Sequence, residues 1–419
     1  MSRNSAIRDQ FFPFVLFLIS PILSLFLALK EYKAVWAKNI LWLFVVFFAM
    51  SNAVINEAWD ISRYIQQFKD FYTSNVSFSE FWEEVVTNSP DFLQPLINYL
   101  ISKISASTMF ILTIYGIIYG YFFSRNIFFA IEFLGQHVGR VTGLILFAVS
   151  FIISIIDFNG FRYWTASHIF IYGLINYYLK EKKPYGLFWI ILTPTMHFSF
   201  SLNIIVFLIH EIIFKRRVLL LMIIYVITLN LGKIGVDKYI PKDIMPKTYQ
   251  NKANDYMGEE NMKQVKELES SQVINGYVQW PRMSLQYLNW FILIILFFEI
   301  WFKRIDIPKM DMLSMVLLMG CIANLATTNS SSGARFLSIY SLMFFIYFMY
   351  IYKELLANYY FKIFVEYYSW VFVVIAIVNI RRLFDVLGFS AFLGGPIIRA
   401  WMPEDIPIID GFKAFFPSF

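Results

Sequence analysis

Asp157-Phe-Asn-Gly-Phe-Arg162-Tyr-Trp-Thr-Ala-Ser-His168 joins two long apolar runs, Gly143 to Ile156 before it and Tyr163 to Leu179 after it. An acid, a Gly turn and an arginine at such a seam place Asp157 and Arg162 at a membrane boundary. Ionisable groups in or beside a bilayer are costly and mark substrate or ion pathways. A second seam follows at Thr193-Pro-Thr-Met-His197-Phe-Ser199. Whether the two seams open to one side of the membrane decides whether they build one site.

The rest of the chain has the same character. It is 58% hydrophobic and 20% aromatic, with 15% charged residues, and apolar stretches of about 18 residues recur throughout. This reads as an all-α, polytopic membrane protein forming a single transmembrane domain over 1–419. About twelve spans are expected, near 11–29, 39–55, 107–123, 140–156, 163–179, 185–196, 198–214, 218–233, 284–302, 311–327, 334–352 and 363–380. Phe11 to Leu29 is long enough to span and lacks a small-residue cleavage pattern, so no cleavable signal is expected. The sixth and seventh spans are short and meet near Pro194; broken helices at membrane depth line cavities or pack in protein. One cysteine, Cys321, excludes an intrachain disulfide and a cysteine-based metal site. A net charge of +6, scattered over short loops, suits anionic lipid rather than nucleic acid.

Short loops set the orientation. Lys30/Lys33/Lys38, Lys180/Lys182/Lys183, Lys215/Arg216/Arg217 and Lys303/Arg304/Lys309 are separated by even numbers of spans and fall on one side. The positive-inside rule makes that side cytoplasmic. Residues 56–106, 157–162, His197, 234–283, 328–335, the tail from Arg381 and both termini then lie outside. The extracytoplasmic loop 56–106 carries Phe68, Phe71, Tyr72, Phe78, Phe81 and Trp82 among acids, a pattern of amphipathic helices in the interface. Loop 234–283 mixes acids and bases, and Lys263 to Glu269 reads as a short solvated helix.

On this topology the unusual polar residues converge outside: Glu57, Asp60, Arg63, Asp91, Gln94, Arg162, His168, His197, Ser199 and Arg335. Arg162 and Arg335 are the exceptions to the charge rule that set the orientation. A planar guanidinium donates two parallel hydrogen bonds to a pair of phosphate oxygens, so two of them facing a membrane cavity suit a diphosphate on a lipid tail. The competing reading of each is a snorkelling anchor, which is the preferred reading for Arg381 and Arg382. His168 reads as a structural histidine, whereas His197, at a helix break, reads as functional. Asp60 and Arg63 have helical spacing and can pair with each other. There is no Gly-x-x-x-x-Gly-Lys loop, His-Glu-x-x-His, Gly-x-Ser-x-Gly elbow or outside Asp-x-Asp. A nucleotide-driven pump, a zinc protease and a divalent-metal site are therefore not supported, and no cofactor is expected.

The chain resembles the EpsG-like, Wzy-type polysaccharide polymerases. Trp59-Asp60-Ile-Ser-Arg63-Tyr64 is similar to their Asp-x-x-x-Tyr segment, and Asp91-Phe-Leu-Gln94-Pro95-Leu96 to their acid-Pro segment. Phe161-Arg162-Tyr-Trp-Thr-Ala166 resembles their Arg-x-x-x-Ala helix start, His197-Phe-Ser199 their His-x-Ser junction, and Gly333-Ala-Arg335-Phe336 their Gly-x-Arg-aromatic element. Gln94 departs from the family's Glu, and Tyr163 from its common Gln. The resemblance implies a GT-C-like glycosyltransferase of the bacterial inner membrane with its site facing outside. Its substrates would be undecaprenyl-diphosphate-linked glycans, as donor and acceptor, with chain-length regulator and flippase proteins as partners. Arg162 and Arg335 would stabilise the leaving diphosphate, Asp60 or His197 would be the general base, and Arg63, Asp91, Gln94 and Ser199 would complete the substrate site. An O-antigen ligase, a lipid-linked oligosaccharide flippase and a membrane O-acyltransferase remain alternatives. A flippase more often shows repeated halves and cations at mid-membrane, which this chain lacks.

Overall fold

The computed structural model describes residues 3–52, 59–87, 91–135, 139–231, 276–304, 306–329, 333–392, 394–402 and 405–415. It is all-helical, with no strand among the described residues and one isolated bridge between Gly388 and Pro407. The described helices are α1 (Arg3–Ile19), α2 (Pro21–Lys30), α3 (Ala37–Met50), α4 (Asp60–Thr73), α5 (Phe78–Phe81), α6 (Leu93–Ser102), α7 (Thr108–Leu134), α8 (Arg140–Val149), α9 (Phe161–Leu174) and α10 (Lys183–Met196). They continue with α11 (Phe200–Ile209), α12 (Val218–Leu231), α13 (Gly276–Trp301), α14 (Met310–Asn329), α15 (Gly333–Tyr350), α16 (Tyr352–Leu355), α17 (Tyr359–Phe384), α18 (Gly395–Trp401) and α19 (Ile408–Phe415). Wider π-type turns prolong α9 to Leu179 and α11 to Phe214.

The chain is a membrane protein. Four described helices are long and apolar enough to cross a bilayer: Thr108–Leu134, Met283–Trp301, Gly333–Tyr350 and Tyr359–Phe384. The other expected spans fall on helices that are shorter or less apolar. Along α17, Tyr367 is 78% and Trp370 74% exposed. Ile205, Ile212, Ile223 and Val226 on α11 and α12 are exposed as well. Large apolar residues left uncovered over several helices at once are a surface for lipid, not water.

Two expected spans are interrupted, each for a local reason. The run 11–29 splits at Ser20-Pro21: proline disfavours helical backbone in the residue before it and opens α2 itself, while Ser20 caps Leu23 N–H at 3.4 Å. The run 140–156 ends as helix at Val149, and residues 155–160 form a 3₁₀ turn. Asp157 closes that turn, accepting from the Ser154 N–H at 2.6 Å and hydroxyl at 2.9 Å.

Tight packing between helices comes from glycine. A Cβ on Gly116 of α7 would lie 2.7 Å from the Ala49 Cβ of α3, and one on Gly120 2.9 Å from Val45. Gly173 of α9 and Gly186 of α10 are in backbone contact in the same way. Where lipid is as apolar as the side chains, close backbone approach and dispersion replace the hydrophobic drive between helices. The trio α12, α14 and α15 is fastened by Asn324 Nδ2 donating to Thr228 Oγ1 at 3.2 Å and by the buried Tyr340 against Gly320.

The basic loops gather at one end. Lys309 pairs with Glu181, Arg216 Nε with Asp311 at 2.9 Å, and Lys215 with Glu211 at 2.9 Å. Of the expected loop 56–106, α4 buries Ile61, Ile65 and Phe68, one helical face, against α6. Of the loop 234–283, residues 276–283 begin α13; the remainder, Lys263 to Glu269 included, lies outside the described residues, as does Glu57.

Candidate active site

A cavity of about 500 Å³ opens where five helix ends meet, lined by Asp60, Arg63, Tyr64, Gln67, Gln94, Arg162, Tyr163, His197 and Arg335. Asp60, Arg63, Tyr64 and Gln67 follow the i, i+3, i+4, i+7 rule on α4, so one helix face presents all four. The adjoining face buries Ile61, Ile65 and Phe68, and α4 packs against α6. Arg162 and Tyr163 come from the first turn of α9, Arg335 from the first turn of α15, and His197 from the residue after α10. The helix N-termini of α9 and α15 carry partial positive charge from unpaired amides, so the backbone field and the arginines have one sign.

The three arginines have different partners. Arg63 pairs with Asp60 three residues before it and is itself largely exposed. Arg162 pairs with Asp91, whose side chain is fully buried behind it. Its Nε has no hydrogen-bond partner among the described residues, and its guanidinium lies 5.9 Å from the Tyr64 ring. Arg335 sits over the Tyr163 ring at 5.2 Å, and no carboxylate pairs with it among the described residues. Among the described residues, its charge is therefore the one in the cavity that no acid offsets.

Neutral groups fix the wall. Gln94, 1% exposed, donates from Nε2 to Tyr115 OH at 2.8 Å and to Gln67 Oε1 at 3.3 Å. Asn98 Nδ2 donates to Gln67 Oε1 at 3.0 Å and to the Tyr64 carbonyl at 2.9 Å, and Tyr115 OH donates to Asn98 Oδ1. Tyr115 in turn stacks on Phe161 at 3.9 Å. The Tyr115 proton is committed to Asn98, so position 94 must supply a donor. An amide does this and a carboxylate does not, so Gln94 fits the network it sits in. Burial pushes the Tyr64 phenol well above its ordinary value, with Arg162 pulling the other way, so Tyr64 is a neutral O–H.

His197 packs edge-on to Tyr163 at 5.1 Å. The Ser199 N–H donates to its Nδ1 at 3.3 Å, and the Ser199 hydroxyl lies 2.8 Å from the same nitrogen. A backbone N–H can only donate, so Nδ1 is the acceptor and a neutral His197 carries its proton on Nε2.

The expected site residues thus fall into two tiers. Asp60, Arg63, Gln94, Arg162, His197 and Arg335 line the cavity. Asp91 and Ser199 stand behind it, holding Arg162 and His197. His168 lies elsewhere, fully buried, with the edges of Tyr119 and Phe123 around it and Asn126 Nδ2 3.2 Å from its Nδ1. Arg381 pairs with Asp385 on the exposed end of α17. Tyr64, Gln67 and Tyr163 line the cavity as well, without a role legible in the sequence; the helical spacing from Asp60 is the available signal for the first two. Among the described residues no three His, Cys, Asp or Glu side chains cluster to hold a metal ion. A family model, EpsG, matches residues 35–390. No curated protein and no solved structure matches the chain.

Proposed function

The chain belongs to the EpsG family, and from that premise we propose that it is a metal-independent polysaccharide polymerase. In this reading it has about twelve spans and a GT-C-like architecture in a bacterial inner membrane, with its cavity facing outside. Donor and acceptor are glycans on undecaprenyl diphosphate. The observation that carries the reading is Arg335: a guanidinium without a carboxylate among the described residues, in a cavity with two further arginines and two helix N-termini.

The reaction joins an acceptor sugar hydroxyl to the anomeric carbon of the donor glycan. The carbon–oxygen bond to the diphosphate breaks, and the carrier diphosphate leaves with the electron pair. Negative charge grows on the bridging oxygen, and preorganised donors aimed there stabilise the transition state more than the ground state. Arg335 and Arg162 hold the diphosphate; Arg162 is aimed by Asp91. The acceptor proton goes to the Asp60 carboxylate, which Arg63 and the start of α4 orient. His197, with Nδ1 engaged by Ser199, offers a donor to a sugar oxygen rather than a base. Tyr64 and Tyr163 give sugar rings flat apolar faces. Among the described residues, Asp60 and Asp91, the carboxylates at the cavity, are each engaged by a guanidinium, so in this reading charge compensation falls to the arginines.

The test is reconstitution of purified protein with a lipid-diphosphate repeat unit, followed by gel analysis of the glycan. A ladder still attached to the carrier lipid, with free carrier diphosphate released at each step, is the expected product. Glycan moved off the carrier to another acceptor in a single step would instead make the protein a ligase. Translocation without a new glycosidic bond would make it a transporter.

A further inference from the structure

A second cavity, of about 440 Å³, lies at the other ends of α3, α7 and α9. It is lined by Lys38, Tyr121, Arg125, Phe128, Phe129, Glu132, Tyr172, Asn176, Lys180, Lys182 and Tyr185. Arg125 is ten residues along α7 from Tyr115, which closes the wall of the first cavity, about 15 Å at helical rise; Glu132 is about 25 Å along. Lys38, Lys180 and Lys182 belong to the short basic loops that gather at the end away from Arg162, His197 and Arg335. The two cavities therefore open at opposite ends of the same helices.

The charges here do not balance. Four cations meet one acid, Glu132, and Lys180 occupies that acid with its Nζ 2.7 Å away while lying 3.8 Å over the Phe129 ring. Arg125 sits inside a 27-residue apolar helix. Its partners are neutral: Asn39 Oδ1 at 2.7 Å, Ser124 Oγ at 2.9 Å, and the faces of Tyr121 at 4.4 Å and Trp42 at 5.1 Å. Among the described residues no carboxylate pairs with Arg125, Lys38 or Lys182. A half-buried guanidinium clamped between rings is expensive without an anion. A snorkelling side chain reaches out to water, whereas Arg125 is fixed at both Nη atoms beside a cavity large enough for a ligand. Tyr172 and Tyr185, 3.1 Å apart at their hydroxyls, add neutral hydrogen-bonding groups to the wall.

We propose that this second cavity binds a phosphate group at the membrane face opposite the candidate active site, with Arg125 as its fixed donor and Lys38 and Lys182 as mobile ones. The shared chemistry is a phosphate monoester or diester. It is carried either by an inner-leaflet lipid headgroup or by a small soluble phosphate. The site is separate from polymerisation, and its test needs no turnover.

The experiment uses the full chain in an Arg335→Gln background, which removes from the first cavity the guanidinium that no carboxylate pairs with among the described residues. One arm titrates inorganic phosphate in neutral detergent and reads the thermal unfolding midpoint. The other places the protein in nanodiscs of phosphatidylcholine with or without phosphatidylglycerol and counts retained lipids by native mass spectrometry. Saturable stabilisation by phosphate identifies a soluble ligand; preferential retention of phosphatidylglycerol alone identifies the lipid. In either case Arg125→Gln is expected to weaken binding about tenfold or more, the loss of a charge-assisted hydrogen bond. The double variant Lys38→Gln/Lys182→Gln, whose side chains hold no ion pair among the described residues, is expected to weaken it with the fold intact. The proposal is overturned if the wild-type cavity favours neither phosphate nor the anionic lipid, or if the preference survives both sets of substitutions.

Discussion

Replacing Arg335 separates a ligand arginine from a structural one more cleanly than any other substitution in the cavity. Among the described residues its side chain lies over the Tyr163 ring, 5.2 Å away. A partly exposed cation–π contact contributes about 0.5–1 kcal/mol. With no carboxylate to orphan among the described residues, Arg335→Ala should cost the fold about 1 kcal/mol and Arg335→Lys less. The effect on turnover is of a different size. Lysine keeps the charge and loses the fork that meets two phosphate oxygens. Losing a donor that strengthens in the transition state costs about 3 kcal/mol, or roughly a hundredfold in rate. Initial rates of polymer formation, normalised to monodisperse protein, should therefore fall about a hundredfold in Arg335→Lys while the unfolding midpoint in detergent stays close to wild type. A rate within about threefold of wild type would refute the diphosphate clamp, because an anchor tolerates lysine.

At Arg162 the same change is mixed with folding. Asp91 has a fully buried side chain, and removing its partner by Arg162→Ala should destabilise the protein by about 3–5 kcal/mol, read as a lower unfolding midpoint; an unchanged midpoint contradicts the buried pair. Arg381→Lys, at an exposed helix end, should leave polymer yield unchanged, and a large loss there would show that the assay responds to charge in general. Asp60→Asn should stop polymer formation and leave donor binding in place, and near-normal turnover would move the base elsewhere. Burial holds the Tyr64 proton in the folded state more tightly than in the unfolded chain. Its stabilising contribution is thus complete below the ordinary phenol value, about 10, and lost as pH rises beyond it. Tyr64→Phe should accordingly leave the activity–pH profile below about 9.5 unchanged in shape, and a displaced alkaline limb would contradict that. Polymer formation should survive strong chelation; loss with EDTA and recovery with Mg²⁺ would assign a carboxylate metal site.

Much of the helical layout is legible in the sequence, because an apolar run in a membrane protein must satisfy its own backbone and helix is the way to do so. Each expected span has a helix on it. Length is less legible: the Ser20-Pro21 break and the 3₁₀ turn at 155–160 depend on proline and capping chemistry inside stretches whose hydropathy is continuous. Contacts between helices are the least legible. Gly116 and Gly120 look like ordinary apolar residues until α3 is seen lying against them. At the cavity, Arg162 and Arg335 stand out because charge is rare among apolar neighbours on that side. Tyr64, Tyr163 and Gln67 do not, since neutral aromatics and amides are common at membrane interfaces. The lysines of the second cavity illustrate the opposite difficulty. Lys38, Lys180 and Lys182 serve so well as topology signals that nothing in their spacing separates a cavity wall from a loop.

The most direct measurement is an experimental density map of the protein with an undecaprenyl-diphosphate glycan bound. The account predicts the diphosphate within hydrogen-bonding reach of the Arg335 and Arg162 guanidiniums, the reducing-end sugar between Tyr64 and Tyr163, and room for an acceptor hydroxyl beside the Asp60 carboxylate. A diphosphate lodged anywhere else, the Arg125 cavity included, with Arg335 unengaged, would contradict it.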